Sequence, residues 1–288
     1  MDWTLRELQY FVTACDVGSF TDAAAELDVS QAAVSRTIAS LENRLGERLV
    51  RRTPRGCEPA ALGQHVMPQV RRVLAEVAKL DEVVRTRQAI LRVGYAWAAV
   101  GRHTTPLLRT WPKAHPDIDL QLVRHNSHTA GLAEGVCDAA IVRTPVDSRR
   151  FDSVVIGLER RMVAFASDDP DWRRRRQVTM SEIATRTIVI DARTGTTSSE
   201  LWTAGTGPEH FVESTDVEEW LDTIAAGRGV GTTAEATASH HPRDGVTYRP
   251  ISDGPRVPVH LAWWRHDPPT GLAALIDTLT AIYADASR

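Results

Sequence analysis

The sequence predicts a mixed chain. An all-α segment occupies residues 1–60, one long helix follows, and an α/β region fills the remaining two thirds. Three patterns carry this reading. Apolar residues recur at helical spacing from Leu5 to Leu45. Val66, Val70, Val73, Val77, Leu80 and Val84 alternate steps of four and three, which is the 3.5-residue period of a helical seam rather than the 3.6 of a globular helix face. From Ile90 onward, short apolar runs alternate with helical stretches, as they do in α/β folds.

Bulk properties narrow the class. At 288 residues with 42% hydrophobic and 25% charged residues, the chain can bury more than one core. No apolar run approaches the roughly 20 residues that span a bilayer. MDWTLRELQYF shows no basic stretch leading into an apolar one, so no secretory signal is read and a cytoplasmic location is expected. Cys15, Cys57 and Cys137 are few, odd in number and far apart, which fits a reducing compartment and argues against a disulfide framework or a cysteine zinc site. The net charge of −3 excludes a globally basic nucleic-acid binder. Locally the charge is segregated. Between Arg36 and Arg55 six arginines face two acids, a balance of +4, whereas residues 1–29 hold Arg6 against six acids, a balance of −5.

The elements of the first segment follow in order. Leu5, Leu8, Phe11, Val12 and Cys15 line one face of a first helix that ends at Gly18. Thr21 is read as the N-cap of a second helix, with Asp22 and Glu26 near its start and Ala23–Ala25 allowing close helix approach. Ser30 is read as the N-cap of a third, in which Val34, Ile38, Leu41 and Leu45 face inward and Gly46 terminates. The opposite face carries Gln31, Ala32, Ser35, Arg36 and Ala39, small or polar and free of acids. A helix, a tight turn and a helix with such a face form a helix-turn-helix whose second member can enter a major groove. Gln31 and Arg36 can make bidentate contacts to base edges, and Ser35 can serve bases or phosphates. Leu49–Cys57 then reads as strand, turn, strand: a wing whose Arg51, Arg52 and Arg55 reach backbone or minor groove.

The stretch LRELQYFVTACDVGSFTDAAAELDVSQAAVSRTIASLENRLGERLVRRTPRG resembles the N-terminal domain of LysR-type transcriptional regulators. The likeness lies in Leu-x-x-Phe, Gly-Ser-Phe-Thr-x-Ala-Ala, Leu-x-Val-Ser-Gln, Ser-Arg, Leu-Glu-x-x-Leu-Gly and the Arg-Thr of the wing, which adds Thr53 to the candidate DNA contacts. Ala32 stands where the family often has proline, and Pro59-Ala60 replaces a Leu-Thr that opens the next helix. The valine seam is then a linker helix over 61–88, pairing antiparallel with its twin; the alternative is a surface helix packed on its own domain. Pro68 is taken to fall near the helix start, where proline is tolerated. The resemblance implies a homodimer, a homotetramer built as a dimer of dimers, a roughly palindromic double-stranded DNA site, and RNA polymerase as a further candidate partner. No membrane partner is expected, because no apolar run is long enough to span a bilayer.

Strands are expected at Ile90–Tyr95, Asp119–Arg124, Ala139–Arg143, Met162–Ala166, Thr187–Asp191, Phe211–Ser214, Gly229–Thr232 and Pro258–Trp264. VGYAWAAVGRHTTPLLRTWPKAHPDIDLQL and STDVEEWLDTIAAGRGVG resemble the family's effector-binding domain. The resemblance implies a periplasmic-binding-protein architecture over residues 89–288, with lobe I at about 89–160 and 258–288, lobe II at about 161–257, and a ligand cleft between them. Ligands of open α/β sheets sit at the carboxyl ends of strands and against helix N-termini. That selects Ala96, Trp97 and Ala98; Asn126, Ser127 and His128; Arg143; Arg193, Thr194 and Thr196; and Gly231 and Thr232. Two arginines among hydroxyls suit a small anion, a carboxylate above all. The first of these loops offers Ala where the family usually offers Ser or Thr, and Trp97 adds an aromatic or apolar wall suited to an aromatic or bulky effector. A regulator working without an effector is the alternative that this loop admits.

Rival classes fare worse. The chain has no Gly-x-Ser-x-Gly, no phosphate loop and no convincing metal set, so an enzyme is not expected, nor a cofactor or a metal; a small-molecule effector is. A solute-binding protein for transport would need export. The Trp172–Arg176 basic run reads as a solvated loop, adjacent His240 and His241 as poor joint metal ligands, and Cys137 lacks a nearby cysteine for a redox switch.

Overall fold

The computed structural model describes residues 3–53, 56–86, 88–203 and 205–285. The chain forms two compact units. Residues 1–87 with the segment 133–136 make one, and the remainder makes the other.

In the first unit, helix α1 (Leu5–Val17) starts in a capping box. Thr4 Oγ1 accepts from the Glu7 amide at 3.3 Å, and Glu7 Oε2 accepts from the Thr4 amide at 2.9 Å. Gly18 ends it in the left-handed region at φ 69°, where glycine lacks the steric penalty of a side chain. Helix α2 (Phe20–Glu26) is capped by Ser19, whose extended backbone aims its Oγ at the Asp22 amide at 3.3 Å. Thr21, expected as that cap, is instead the second helical residue and exposed; the helix begins two residues earlier than its alanine run suggests. Helix α3 (Gln31–Leu45) has the expected ends, Ser30 capping the Ala33 amide at 3.2 Å and Gly46 at φ 72°. Phe11, Ala14, Ala23, Val34, Ile38, Leu41 and Leu49 are buried together between these helices. Strands β1 (Val50–Thr53) and β2 (Gly56–Pro59) pair antiparallel as the wing.

Helix α4 (Ala61–Thr86) follows. Its seam divides in two. Val70 is buried, and Leu62, Val66, Met67 and Leu74 pack beside it on the helix-turn-helix core. Val73, Leu80 and Val84 are 45%, 64% and 75% exposed. The first half of the helix thus packs on its own unit, and the second half presents its apolar seam at the surface. Pro68 stands inside the helix rather than at its start; lacking an N–H, it cannot make the bond to the carbonyl four residues back.

Among the described residues the second unit holds three sheets, of five, three and two strands, and the two larger ones divide the α/β region. Five strands, β3 (Ala89–Tyr95), β4 (Ile118–Arg124), β5 (Ala139–Val142), β6 (Phe151–Glu159) and β12 (Val257–Trp264), form a sheet in the order β4-β3-β5-β12-β6. β3 runs parallel to β4 and β5, and β12 runs antiparallel to β5 and β6. Helices α5 (Thr104–Ala114) and α9 (Leu272–Asp285) cover it over a core of Leu91, Val93, Leu107, Trp111, Leu261 and Leu279. The other sheet is β10-β7-β11, built from β7 (Arg161–Ala166), β10 (Gly231–Ala234) and β11 (Val246–Pro250). Beside it β8 (Ile188–Asp191) and β9 (Phe211–Ser214) pair in parallel, with helices α6 (Met180–Ala184), α7 (Val217–Ala225) and α8 (Glu235–His240). The chain crosses between the sheets at Glu159–Arg161 and again before Val257.

Two strands escape sequence reading. In β6 the register slips opposite Val259 and His260, so Ile156 has no partner in the ladder and the two-residue alternation breaks. Strand β11 is half-buried throughout and ends in proline, which an edge strand tolerates. β10 begins two residues later than expected, because Val230 instead bridges Ile188. Among the described residues no helix is long and apolar enough to cross a membrane.

Candidate functional site

The first candidate surface is built on α3 and the wing. Gln31, Ala32 and Arg36 are exposed and Ser35 half-buried, because Val34, Ile38 and Leu41 turn the opposite face into the core. The wing is fastened to this helix at two places. Glu42 Oε1 accepts from the Leu49 and Val50 amides at 2.8 and 2.9 Å, holding the start of β1. Arg52 Nη2 donates to Ser35 Oγ at 2.8 Å, and its guanidinium lies 5.0 Å from the Phe20 ring centroid. Ser35 and Arg52 thus form one polar patch, with Arg36 exposed on the same helix.

The basic stretch is less uniformly positive than its composition. Arg44 pairs with Glu7 at 2.7 Å and Arg51 with Glu58 at 2.9 Å across the wing. Arg36, Arg48 and Arg52 have no carboxylate partner among the described residues. Arg51, both partners exposed, can exchange Glu58 for a phosphate at little cost, since such pairs contribute ~0–1 kcal/mol. Thr53 ends β1, Thr21 is exposed on α2, and Arg55 lies outside the described residues. Sequence reasoning assigned Glu42 no role; its place in the Leu-Glu pair, just before the basic wing, was the available signal.

The second candidate is the cleft between the two sheets of the C-terminal unit. Ala96, Trp97, Ser127, His128, Arg143, Thr194 and Thr196, all selected from the sequence, line it. Ala130, Ile141, Val142, Thr144, Gly195, Thr233 and Thr237 join them; Ile141 and Val142 lie in the strand expected at Ala139–Arg143, Thr144, Gly195 and Thr233 adjoin selected residues, and Ala130 and Thr237 had no sequence signal. The cavity is small, about 40 Å³.

Arg143 does not serve as a free anion receptor. Its Nε and Nη2 donate to Glu159 at 3.0 and 2.8 Å, and its Nη1 and Nη2 donate to the Ala98 and Ala99 carbonyls at 2.7 and 2.8 Å. Glu159 also accepts from Tyr283 Oη at 2.6 Å and from the Ala236 amide at 3.4 Å. Burial pushes its carboxyl up, but the Arg143 charge, with these hydrogen bonds, outweighs burial and holds it below the usual carboxylate range. Glu159 therefore ties both sheets together where the chain crosses between them.

Other expected ligands are displaced for identifiable reasons. Ala98 is buried, its carbonyl occupied by Arg143. Asn126 bridges the sheets instead of facing the cavity, its Nδ2 donating to the Thr215 carbonyl at 2.9 Å. Arg193 is exposed and stands outside the lining; its amide donates to Asp191 Oδ1 at 2.7 Å. Gly231 packs under Trp220, where a Cβ would lie 2.2 Å from the indole. Thr232 is buried against the Thr197 hydroxyl at 2.6 Å. Because side chains alternate along a strand, its neighbour Thr233 faces the cleft instead. Thr196 lines the cleft and also accepts from Arg161 through its carbonyl at 2.9 Å.

Comparison with known proteins decides the family. The family described as LysR substrate binding domain matches residues 85–283, and the one described as bacterial regulatory helix-turn-helix protein, lysR family, matches residues 5–64. The chain belongs to the LysR family of transcriptional regulators. HTH-type transcriptional regulator BenM of Acinetobacter baylyi is 24% identical over 97% of this chain and 96% of its own length. The DNA-binding transcriptional dual regulator OxyR of Escherichia coli K12 is 29% identical over 90% of this chain and 88% of its own. The crystal structure of CbnR, a LysR family transcriptional regulator, superposes with a TM-score of 0.73 at 19% identity, covering 98% of this chain and 99% of that one. The structure of full-length CbnR complexed with its target DNA superposes at 0.69 and 19% identity, covering 99% and 100%. These relatives are regulators rather than enzymes, and within the family this chain carries both a DNA-binding and an effector-binding domain.

Proposed function

We propose that this LysR-type regulator reads a specific, roughly palindromic operator and that a small molecule held between its two effector lobes modulates the reading. The observation that carries the DNA half is the Arg52–Ser35 contact. It sets a wing arginine beside the recognition helix, so base-edge donors and a phosphate-binding cation approach the duplex as one surface. Gln31 and Arg36 read bases, and Arg48, Arg51 and Arg52 contact backbone.

The exposed half of α4 supports a homodimer. Val73, Val77 and Leu80 line an apolar groove, and two reading heads on one dimer address two half-sites. A tetramer and a contact with RNA polymerase belong to the same proposal, as does action in the cytoplasm without a cofactor. In the cleft, hydroxyls of Ser127, Thr144, Thr194, Thr196 and Thr233 surround the cavity. An anionic effector would be met by the hydroxyls of Ser127, Thr144, Thr196 and Thr233 and by backbone amides, because Arg143 is already paired, the Thr194 hydroxyl donates to Asp191 and His128 Nε2 donates to the Pro145 carbonyl.

Selection of full-length protein against random duplex DNA, with fluorescence anisotropy on the enriched sites, tests this reading. A split, inverted motif with salt-sensitive binding is expected. Equal affinity for enriched and random duplexes would overturn it.

A further inference from the structure

The inter-lobe cavity at Trp97 is small, about 40 Å³, because a side chain of the protein itself fills the space there; a separate cavity of about 560 Å³ between the lobes is lined by Val100, His103, Glu159, Glu235 and Ser239. Trp97 lies in the loop after β3, in the first sheet's lobe, yet its side chain is buried in an apolar cluster of the other lobe: Ala164, Val189, Val217, Trp220, Leu221 and Ile224. Its ring meets that of Trp220 at 5.2 Å between centroids and 58°. Its Nε1 donates to Asp191 Oδ2 at 3.3 Å, and its carbonyl lies 2.6 Å from His241 Nε2. On the near side Arg143 clamps the next two carbonyls, those of Ala98 and Ala99.

Each feature is one that a bound ligand would have. An aromatic body sits in an apolar pocket, a polar N–H meets a buried carboxylate, and the whole bridges two lobes. What remains beside it is about 40 Å³, far below the ~300 Å³ at which pockets for small molecules begin.

We infer that Trp97 is the resident ligand of the inter-lobe site: the site is built for a planar aromatic with an N–H donor, and the chain supplies an indole from its own first loop. This rests on reading the cleft as the regulatory site. The closed arrangement of the lobes then needs no diffusible molecule. An external effector of this site acts by displacing the Trp97 side chain, and the class that fits is the indole-like N–H aromatics. Asp191 is the group that distinguishes them from hydrocarbons of the same shape. Its carboxylate is 2% exposed and oriented by the Arg193 and Thr194 amides at 2.7 and 3.2 Å.

The test is cavity rescue in the full-length chain. Trp97→Ala leaves a vacancy of indole shape, so its melting temperature falls. At a hundredfold excess over its Kd, added indole raises it again by about 5–11 °C through mass action. Benzothiophene, of like shape without the N–H, gives a smaller rise, and wild type responds to neither as strongly. A folded variant that melts like wild type and ignores indole overturns the inference, as does an equal response to both probes. If Trp97→Ala does not fold, fluorine spectra of 5-fluorotryptophan-labelled wild type decide, with the Trp97 resonance assigned by Trp97→Phe. A resonance without an H2O/D2O solvent shift supports the inference, and a fully shifted one overturns it. Operator binding by wild type, followed in parallel, separates the two readings: its absence sinks the regulator proposal while leaving the indole rescue to stand or fall alone.

Discussion

Removing Arg143 tests the electrostatic centre of the effector domain. The Arg143 and Glu159 side chains are 10% and 6% exposed, so water cannot replace a lost partner. Arg143→Ala deletes both hydrogen bonds to Glu159 and both to the Ala98 and Ala99 carbonyls. Breaking a buried pair from one side costs about 3–5 kcal/mol, because an uncompensated charge stays buried. For a domain of this size that is a fall of roughly 6–20 °C in melting temperature. The variant also carries a pH signature. In wild type Glu159 titrates below its ordinary 4.5, so its contribution is full above that value and is lost as pH falls through the lower, folded one. Without Arg143, burial dominates and the folded carboxyl titrates above 4.5. The penalty is then present at neutral pH and is relieved as pH falls toward and below 4.5. Thermal melts of both proteins from pH 7 to pH 4 should converge on acidification. A deficit under about 1 kcal/mol at pH 7, or parallel curves, would refute the reasoning. The double change Arg143→Met with Glu159→Met should recover part of the loss, since an apolar replacement of a buried pair is often neutral.

Three further outcomes are expected. Arg36→Ala should weaken operator binding by about 1–3 kcal/mol with little effect on random duplex, if the side chain reads a base; anisotropy titrations on both duplexes separate this from an equal, phosphate-type loss. Glu42→Ala frees the Leu49 and Val50 amides at the root of the wing, costing about 1–3 kcal/mol of stability in the N-terminal unit and weakening binding to any duplex. Urea titration and anisotropy read the two effects, and an unchanged affinity would show that the wing needs no such anchor. Leu80→Glu, at a 64% exposed position, should leave chain stability within about 0.5 kcal/mol. It should weaken self-association by tenfold or more if the α4 groove is the dimer seam; sedimentation at graded concentrations would show it.

Local chemistry is what the sequence determined here. Ser30 and Gly46 bound the recognition helix because capping and left-handed φ are decided within three or four residues. The same range explains the failures. Ser19 competes with Thr21 for one cap, and a slipped register hides β6. The motif set of the first sixty residues was dense enough to place the chain in its family.

Only the tertiary structure decided what each charge and ring is for. Arg143 looked like an anion receptor because nothing near it in the chain shows that Glu159, on another strand, will neutralise it. Trp97 looked like one wall of a cleft, but Trp220 and Asp191, far along the chain, turn it into the cleft's occupant. The valine seam reads as one stripe, yet packing of the first unit buries its beginning and leaves its end exposed. In each case the partner is distant in sequence. A residue's own type and neighbours set what it can bond to, and the fold alone brings the partner within reach.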